Sequence, residues 1–470
     1  MSASKRFSIR TFGCQMNVHD TEKLSNVLYH AGYEAAANED QADLLVINTC
    51  SVREKAENKL YSDLGRLREW KAERPGRLIG VGGCVAQQEG QTILRRFNHV
   101  DLVFGTHNLL AVPAMLDGAA EGHASVRVEE SVSLARFDLP ERHPAYRGPD
   151  TGHAFVTVME GCDMFCSFCV VPRTRGREIS RPAASIVDEV HKLVARGVSE
   201  ITLLGQTVNA YGRHDVRRGA GEAQGTIPFA ALLRRLDAID GLRRIRYTSP
   251  HPLFFDQALL AAHGDLEKLC PHVHMPVQSG SDPVLERMRR RYTRSDYLGI
   301  IERLRALRTD VVVTTDLIVG FPGESDAEFR ETLSLIEEIG FVDSYSFKYS
   351  RRPGTKALEY ADVEISPETI SARLSELQDL QRKLTLEYHF SRVGKRAEIR
   401  VEGASLHRAG QIRGRDLHHR VVNVNVNGDH TSHAALGVLE PGRYLEVEVV
   451  EATPHSLIGV PTAELLPISS

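Results

Sequence analysis

The stretch Ala154-Phe155-Val156-Thr157-Val158-Met159-Glu160-Gly161-Cys162-Asp163-Met164-Phe165-Cys166-Ser167-Phe168-Cys169 decides how the chain is read. Its first six residues form a nearly continuous apolar run, the pattern of a strand buried on both faces. Three cysteines in the spacing CxxxCxxC follow at the strand's carboxyl end. Further strands are expected at Glu200–Leu204, Arg244–Thr248, Val273–Val277, Val311–Val319 and Ser344–Tyr349. Helical periodicity separates them at Ala183–Ala195, Phe229–Ile239, Ser295–Arg308 and Asp326–Ile339. Six βα units predict a partial, TIM-like (β/α)6 barrel left open, with its chemistry at the carboxyl ends of the strands.

Outward from this core, the chain divides further. Towards the N-terminus, strands at Phe7–Phe12, Leu44–Thr49, Leu78–Gly82 and Leu102–Gly105 alternate with helices near His19–Ala31, Glu54–Lys71 and Gln88–Phe97. That alternation predicts a doubly wound parallel α/β domain over residues 1–117. Residues 118–147 lack periodicity and read as a linker before a central domain at 148–390. A long helix, Pro367–Phe390, closes the centre. Beyond Gly394 the period switches to two, at Ala397–Val401, Gln411–Arg413, Val421–Val426 and Leu445–Val450. Short strands with glycine punctuation predict a small, OB-like β-barrel over 391–465, giving an α/β protein of three domains.

Composition narrows the function. Of 470 residues, 42% are apolar and 26% charged, enough for several cores. Acidic residues outnumber basic ones, 62 to 58, so a nucleic-acid partner has to be held by local patches. No apolar run reaches 18 residues, so no spanning helix and no membrane partner is expected. Met1–Phe12 lacks the apolar core of a signal peptide. Seven cysteines are too few for a disulfide scaffold and odd in number, which suits a reducing cytoplasm. GxxxxGK[ST], GxSxG and HExxH are all missing. Gly80, Gly82 and Gly83 fall short of a dinucleotide loop because Val85 stands at the third glycine.

Three thiolates in CxxxCxxC can wrap one face of a [4Fe–4S] cube and leave its fourth iron open. Half a zinc site or three core thiols are the alternatives, but zinc wants a second CxxC pair or nearby histidines. Cys14, Cys50 and Cys84 are 36 and 34 residues apart, about one βαβ unit each, and each lies just beyond a predicted strand. Parallel strands put such positions on one sheet edge, so these thiols are expected to converge on a second cluster site. Three unrelated buried cysteines are the other possibility. Cys270 fits neither set and reads as a core thiol.

The cysteine loop continues as Thr174-Arg175-Gly176-Arg177-Glu178-Ile179-Ser180-Arg181-Pro182. With Thr11-Phe12-Gly13-Cys14-Gln15-Met16-Asn17, Asn48-Thr49-Cys50-Ser51-Val52-Arg53 and Gly82-Gly83-Cys84, it resembles the radical S-adenosylmethionine methylthiotransferases. The likeness extends through Leu204-Gly205-Gln206-Thr207-Val208-Asn209-Ala210-Tyr211, His274–Ser281 and Asp316–Glu324, essentially the whole chain in the family's domain order. The resemblance implies a cluster on Cys162, Cys166 and Cys169 whose open iron binds S-adenosylmethionine, and an auxiliary cluster on Cys14, Cys50 and Cys84 that carries the sulfur. It also implies S-adenosylmethionine contacts from Gln206, Asn209, Gln278, Ser279, Gly320 and Glu324, and a C-terminal TRAM domain that binds RNA.

Arg173, Arg175, Arg413 and Arg415 are the expected RNA contacts. The stretch Arg392–Arg420 holds eight Lys or Arg (392, 395, 396, 400, 408, 413, 415, 420) against Glu398, Glu402 and Asp416. A second cluster of eight arginines runs from Arg287 to Arg308. Within the family, the Thr174–Arg181 motif favours the branch that acts on tRNA carrying isopentenylated adenosine 37. Branches that modify a ribosomal-protein aspartate or threonylcarbamoyl-adenosine are the alternatives, and a non-catalytic iron–sulfur RNA-binding protein is the alternative of another class. A monomer served by a flavodoxin or ferredoxin is expected. Arg173, Asp416 and His418-His419 depart from the family's pattern.

Overall fold

The computed structural model describes residues 4–51, 54–131, 133–138, 140–146, 152–217, 221–360, 365–405, 410–425 and 440–465. Val52, Arg53, Arg408 and Val426, used above, lie outside them. The N-terminal sheet has six strands: β1 (Arg6–Phe12), β2 (Glu34–Ala35), β3 (Leu44–Thr49), β4 (Leu78–Gly83), β5 (Leu102–Phe104) and β6 (Ser125–Arg127). All pair in parallel in the order β2-β1-β3-β4-β5-β6. β3 and β4 are buried at every position, because two separate apolar clusters cover the two faces of the sheet. The order reverses between β1 and β3, the switch point where open α/β sheets seat their ligands.

Residues 118–147 are not simply a linker. The helix Val112–Ala120 runs into them, β6 extends the sheet beside β5, and Leu134–Phe137 forms a turn of 3-10 helix. A three-residue strand is too short for periodicity to reveal, and it pairs only because the β5 edge is already there.

The centre holds β7 (His153–Thr157), β8 (Met159–Glu160), β9 (Ile179–Ser180), β10 (Glu200–Leu204), β11 (Arg244–Tyr247), β12 (His272–His274), β13 (Val312–Val319) and β14 (Asp343–Lys348). β7, β10 and β11 pair in parallel, as do β12, β13 and β14, and a parallel bridge from Ile245 to Leu269 joins the two groups. Six parallel strands thus follow one another in chain order. Among the described residues the outer two, β7 and β14, do not pair, so the barrel is open as expected. β8 and β9 pair antiparallel and close off the loop that carries the three cysteines. The 25-residue helix Pro367–Ser391 leads to a closed barrel of β15 (Arg396–Ala404), β16 (Gln411–Arg415), β17 (Val421–Asn425), β18 (Tyr444–Ala452) and β19 (Leu457–Leu465).

Buried charge fastens that barrel to the centre. Glu200 on β10, 1% exposed, lies 2.9 Å from Arg246, 3.5 Å from Arg244 and 3.2 Å from Arg400 of β15. Burial pushes its carboxyl up, but Arg246, Arg400 and Arg244 together hold it well below its ordinary range. Arg244 also donates to the Glu398 carbonyl and Arg246 to that of Asp416. A carboxylate whose folded pKa is depressed contributes stability that is whole above its unfolded value and is lost as pH falls below it. Glu200→Gln leaves three buried guanidiniums short of their counter-charge. It should cost about 3–5 kcal/mol, and calorimetry should show less acid destabilisation below pH 4.5, the ordinary carboxylate value, than in the parent.

Candidate active site: two cysteine clusters and the segment between them

Register brings the first three cysteines together. Phe12, Thr49 and Gly83 are level across β1, β3 and β4, and Cys14, Cys50 and Cys84 come just after them. The Cys50 N–H donates to the Phe12 carbonyl at 3.0 Å, holding the first two turns side by side. Two glycines permit the approach. Gly13 has φ 144°, and a Cβ there would stand 2.5 Å from Cys50 Cβ. Gly83 has φ 92°, and a Cβ would press on Asn48 and come within 2.6 Å of the Thr49 carbonyl oxygen. Asn48 binds the Asn17 carbonyl and the Thr21 hydroxyl, both at 2.9 Å, fixing the helix Gln15–His30 against β3. Hydrogen bonding with Cys50 lowers the Cys14 thiol to about 6, whereas burial pushes Cys84 up.

The second group sits on the loop closed by β8 and β9. Cys162, Cys166 and Cys169 pack with Met164, Phe168, Val171 and Phe254. The Cys162 N–H donates to the Gly176 carbonyl at 3.2 Å, and its Sγ lies 3.2 Å from the Thr207 hydroxyl. Burial pushes Cys162 and Cys169 up, and the neighbouring thiols add to the rise at both. Arg290 aims an N–H at Cys166 Sγ over 3.4 Å. Among the described residues, no three His, Cys, Asp or Glu side chains close on a single metal ion. A four-iron cube asks for something different, one thiolate at each of several corners, and three converging thiols at either place are the donor set it takes.

One segment joins the two groups. Starting just after Cys169, Val170–Gly176 crosses to the N-terminal sheet, where Thr106 donates to the Thr174 carbonyl at 2.8 Å and His107 meets the Arg175 carbonyl at 3.0 Å. Arg175 is 3% exposed and lies 2.5 Å from Asp20, with its charge felt by Cys14 and Cys84. This corrects the expectation of an RNA contact, because a guanidinium enclosed by Asp20 and two thiols cannot meet a phosphate. Arg173 is exposed, and its guanidinium lies over Gly354.

The other expected contacts divide. Gln206 accepts the Gly161 N–H at 2.5 Å, while its Nε2 is buried without a protein partner among the described residues, so it keeps a donor beside the cysteine loop. Asn209 instead makes a reciprocal pair with the backbone of His251, at 3.0 and 2.8 Å, which takes up its amide. Gln278 has φ 77° and bridges to β13 through its backbone. Ser279 turns towards Thr332, at 3.2 Å. Gly320 donates to Glu324, whose carboxylate is also bound by Arg373 at 2.8 Å, so both close a turn against the long helix. Ser279 and one carboxylate oxygen of Glu324 are thus engaged within the protein, while the other Glu324 oxygen is buried without a protein partner among the described residues.

Arg413 and Arg415 both face Glu402, at 3.3 and 2.8 Å, and Arg396 and Arg420 pair with Glu446 and Asp343. Arg413 and Arg415 share the one carboxylate of Glu402, and Glu446 and Asp343 each add one from outside the stretch, so part of the local excess of positive charge is matched by nearby carboxylates. Asp416 is buried and accepts the Arg420 N–H at 2.8 Å, closing the turn that Arg246 holds. His418 meets the Tyr388 hydroxyl, and His419 stacks on His272. The departures from the family pattern at these positions therefore sit at the junction with the centre. In the second arginine cluster, Arg287 and Arg294 pair with Glu328 and Glu338, and Arg290 is buried. Arg290 and Thr207 are the residues that sequence reasoning missed as neighbours of the cysteines. Cys270 is buried, as expected, and feels the charges of Arg246 and Glu200 rather than of the other thiols.

Comparison with known proteins agrees with this arrangement. Residues 6–105 match "Uncharacterized protein family UPF0004" and residues 156–336 match "Radical SAM superfamily". The tRNA-2-methylthio-N(6)-dimethylallyladenosine synthase of Geobacter metallireducens is 45% identical over 98% of this chain and 99% of its own. The chain belongs to the tRNA-2-methylthio-N(6)-dimethylallyladenosine synthase family. The synthase of Geotalea uraniireducens is 47% identical over 90% of this chain and 93% of its own. Among solved structures, the radical S-adenosylmethionine methyltransferase TsrM from Kitasatospora setae, with cobalamin and a [4Fe-4S] cluster bound, has a TM-score of 0.50 at 15% identity over 77% of this chain and 76% of that one, a likeness of fold.

The glycine cradle of this synthase-family chain can be tested with an internal control. Gly76 (φ 89°) and Gly83 (φ 92°) share a left-handed backbone, yet a Cβ at Gly76 meets nothing within 4 Å. Gly83→Ala should therefore be the more destabilising by about 1–3 kcal/mol, read as the difference between the two variants' unfolding temperatures. Equal shifts would remove any role for close approach at Cys84.

Proposed function

We infer that this chain transfers a methylthio group to C2 of N6-isopentenyl-adenosine at position 37 of tRNA, with S-adenosylmethionine as methyl donor and as radical source. The observation that carries the reading is the pair of thiol triads, one at the switch point of the N-terminal sheet and one at the mouth of the open barrel, in a chain 45% identical to a synthase of that name along its whole length. Cys162, Cys166 and Cys169 would hold one [4Fe–4S] cluster and Cys14, Cys50 and Cys84 the other. When bound, the clusters and S-adenosylmethionine supply the radical abstraction of a C–H that no acid–base pair could remove, together with the sulfur and methyl that replace it.

The chain's own residues do the positioning. Gly13 and Gly83 let three strand ends close on one point. Gln206 fixes the Gly161 N–H and keeps an amide donor for the cofactor. Thr207 steadies Cys162. Arg175 offsets negative charge at the sheet edge, and the segment around it keeps the two triads in fixed relation. Among the described residues no helix is long and apolar enough to cross a membrane. We place the enzyme in the cytoplasm as a monomer, served by a low-potential donor such as flavodoxin or ferredoxin.

Two variants test the division of labour. Cys84→Ala should keep about half the iron of the reconstituted parent, still cleave S-adenosylmethionine under reduction, and form no methylthio-adenosine. Cys166→Ala should keep the other half and lose all S-adenosylmethionine cleavage. Iron analysis and mass spectrometry of tRNA read both. Full iron with normal methylthiolation in Cys84→Ala would overturn the two-site reading. Unchanged tRNA in a deletion strain would overturn the substrate.

A further inference from the structure

Arg290 is 5% exposed, and it lacks what a buried cation normally has. Its three nitrogens go to the Tyr292 hydroxyl (3.0 Å), the Pro276 carbonyl (2.9 Å) and Cys166 Sγ (3.4 Å). Among the described residues no carboxylate pairs with it. The other enclosed arginines differ: Arg175 has Asp20, Arg373 has Glu324, and Arg244, Arg246 and Arg400 share Glu200. A guanidinium taken out of water with neither carboxylate nor phosphate is strongly destabilising unless another anion neutralises it.

The backbone is bent to place it there. Arg289 and Arg291, the residues on either side, have φ of 58° and 60°, a left-handed conformation that residues bearing side chains adopt only at a cost. Both point outward and are exposed, while Arg290 alone turns in. The same turn grips the cysteine loop from below. Ser167, between Cys166 and Cys169, donates its N–H to the Met288 carbonyl at 3.1 Å and its hydroxyl to the Arg287 carbonyl at 2.8 Å. A strained turn, a buried cation without its counter-ion and a thiol within reach of an N–H therefore meet at one point.

We propose that Arg290 is the counter-charge of the cluster held by Cys162, Cys166 and Cys169, donating to the Cys166 thiolate and favouring the reduced, more negative state of the cluster. This rests on the cluster assignment made above. The ferric–ferrous change adds one electron, supplied by an external reductant, and no bond forms or breaks. A fixed positive charge against one ligand makes that addition easier, and a hydrogen bond to a ligating sulfur acts in the same direction. Arg290 is thus a positioning and tuning residue, while the cysteines remain the ligands.

The test uses the reconstituted full-length chain, dithionite as reductant, and EPR-monitored titration of the cluster signal that changes when S-adenosylmethionine is added. Arg290→Met should bind iron as the parent does but require a potential lower by about 59 mV, a tenfold shift for one electron, and cleave S-adenosylmethionine more slowly at any fixed potential. Arg290→Lys, which keeps the charge, should recover most of both. An unchanged midpoint in Arg290→Met at full iron would overturn the proposal. If Arg290→Met loses the iron, recovery in Arg290→Lys still supports a charge role, and equal loss in both variants overturns it. Failure of the underlying assignment looks different: Cys166→Ala would then retain all its iron and the S-adenosylmethionine-sensitive signal.

Discussion

A guanidinium enclosed at the seam between the N-terminal sheet and the open barrel governs how the two halves of the site face each other. Arg175 lies against Asp20 of the first helix, feels the thiols of Cys14 and Cys84, and belongs to the segment that leaves Cys169 and returns to Cys162. Burial works against its charge, but Asp20, Cys84 and Glu160 more than compensate, so its pKa stands well above the ordinary value. Removing either partner of such a pair leaves an unmatched buried charge, which is strongly destabilising. The Thr106 hydroxyl and the His107 ring then hold the carbonyls of Thr174 and Arg175, and the Cys162 N–H holds that of Gly176, so this one segment is tied to both the N-terminal sheet and the cysteine loop.

The same physics recurs at the other seam. Glu200 gathers three arginines, one of them from the C-terminal barrel, and Arg246 reaches over to the turn that Asp416 closes. Aromatic and cationic stacking of Arg243 and Arg244 on Tyr444, 4.1 and 4.8 Å from the ring, completes the contact. Two of the barrel arginines read in the sequence as RNA-binding, Arg400 and Arg420, thus face the centre and fasten the barrel to it. Arg396, Arg413, Arg415 and Arg420 each have a carboxylate close by, so the net field that the barrel offers a phosphate backbone is smaller than its composition suggests.

Much of the site was legible because the relevant signals are local or periodic. CxxxCxxC lies within eight residues, and the strand before it is a continuous apolar run. Cys14, Cys50 and Cys84 could be grouped without a motif, since a parallel sheet aligns the carboxyl ends of consecutive units on one edge. Side-chain direction was not legible. Asn209, Ser279 and Glu324 occupy the expected loops, but each found a partner in the protein, respectively the His251 backbone, Thr332 and Arg373. A residue's position at a strand end is set by register, whereas its hydrogen bonds depend on elements 42 to 53 residues away.

The sequence by itself determined the alternation of strands and helices, the switch to period two after Gly394, and the placing of six cysteines in two groups at strand ends, because each follows from spacing along the chain. Only the tertiary structure decided which charges are enclosed. Arg173, Arg175 and Arg177 stand two residues apart, yet Arg173 and Arg177 are exposed and Arg175 is buried. Arg289, Arg290 and Arg291 are consecutive, and two left-handed residues turn the middle one towards Cys166. Whether a guanidinium meets solvent, carboxylate or sulfur depends on the packing of distant segments around it, and burial multiplies the strength of that encounter.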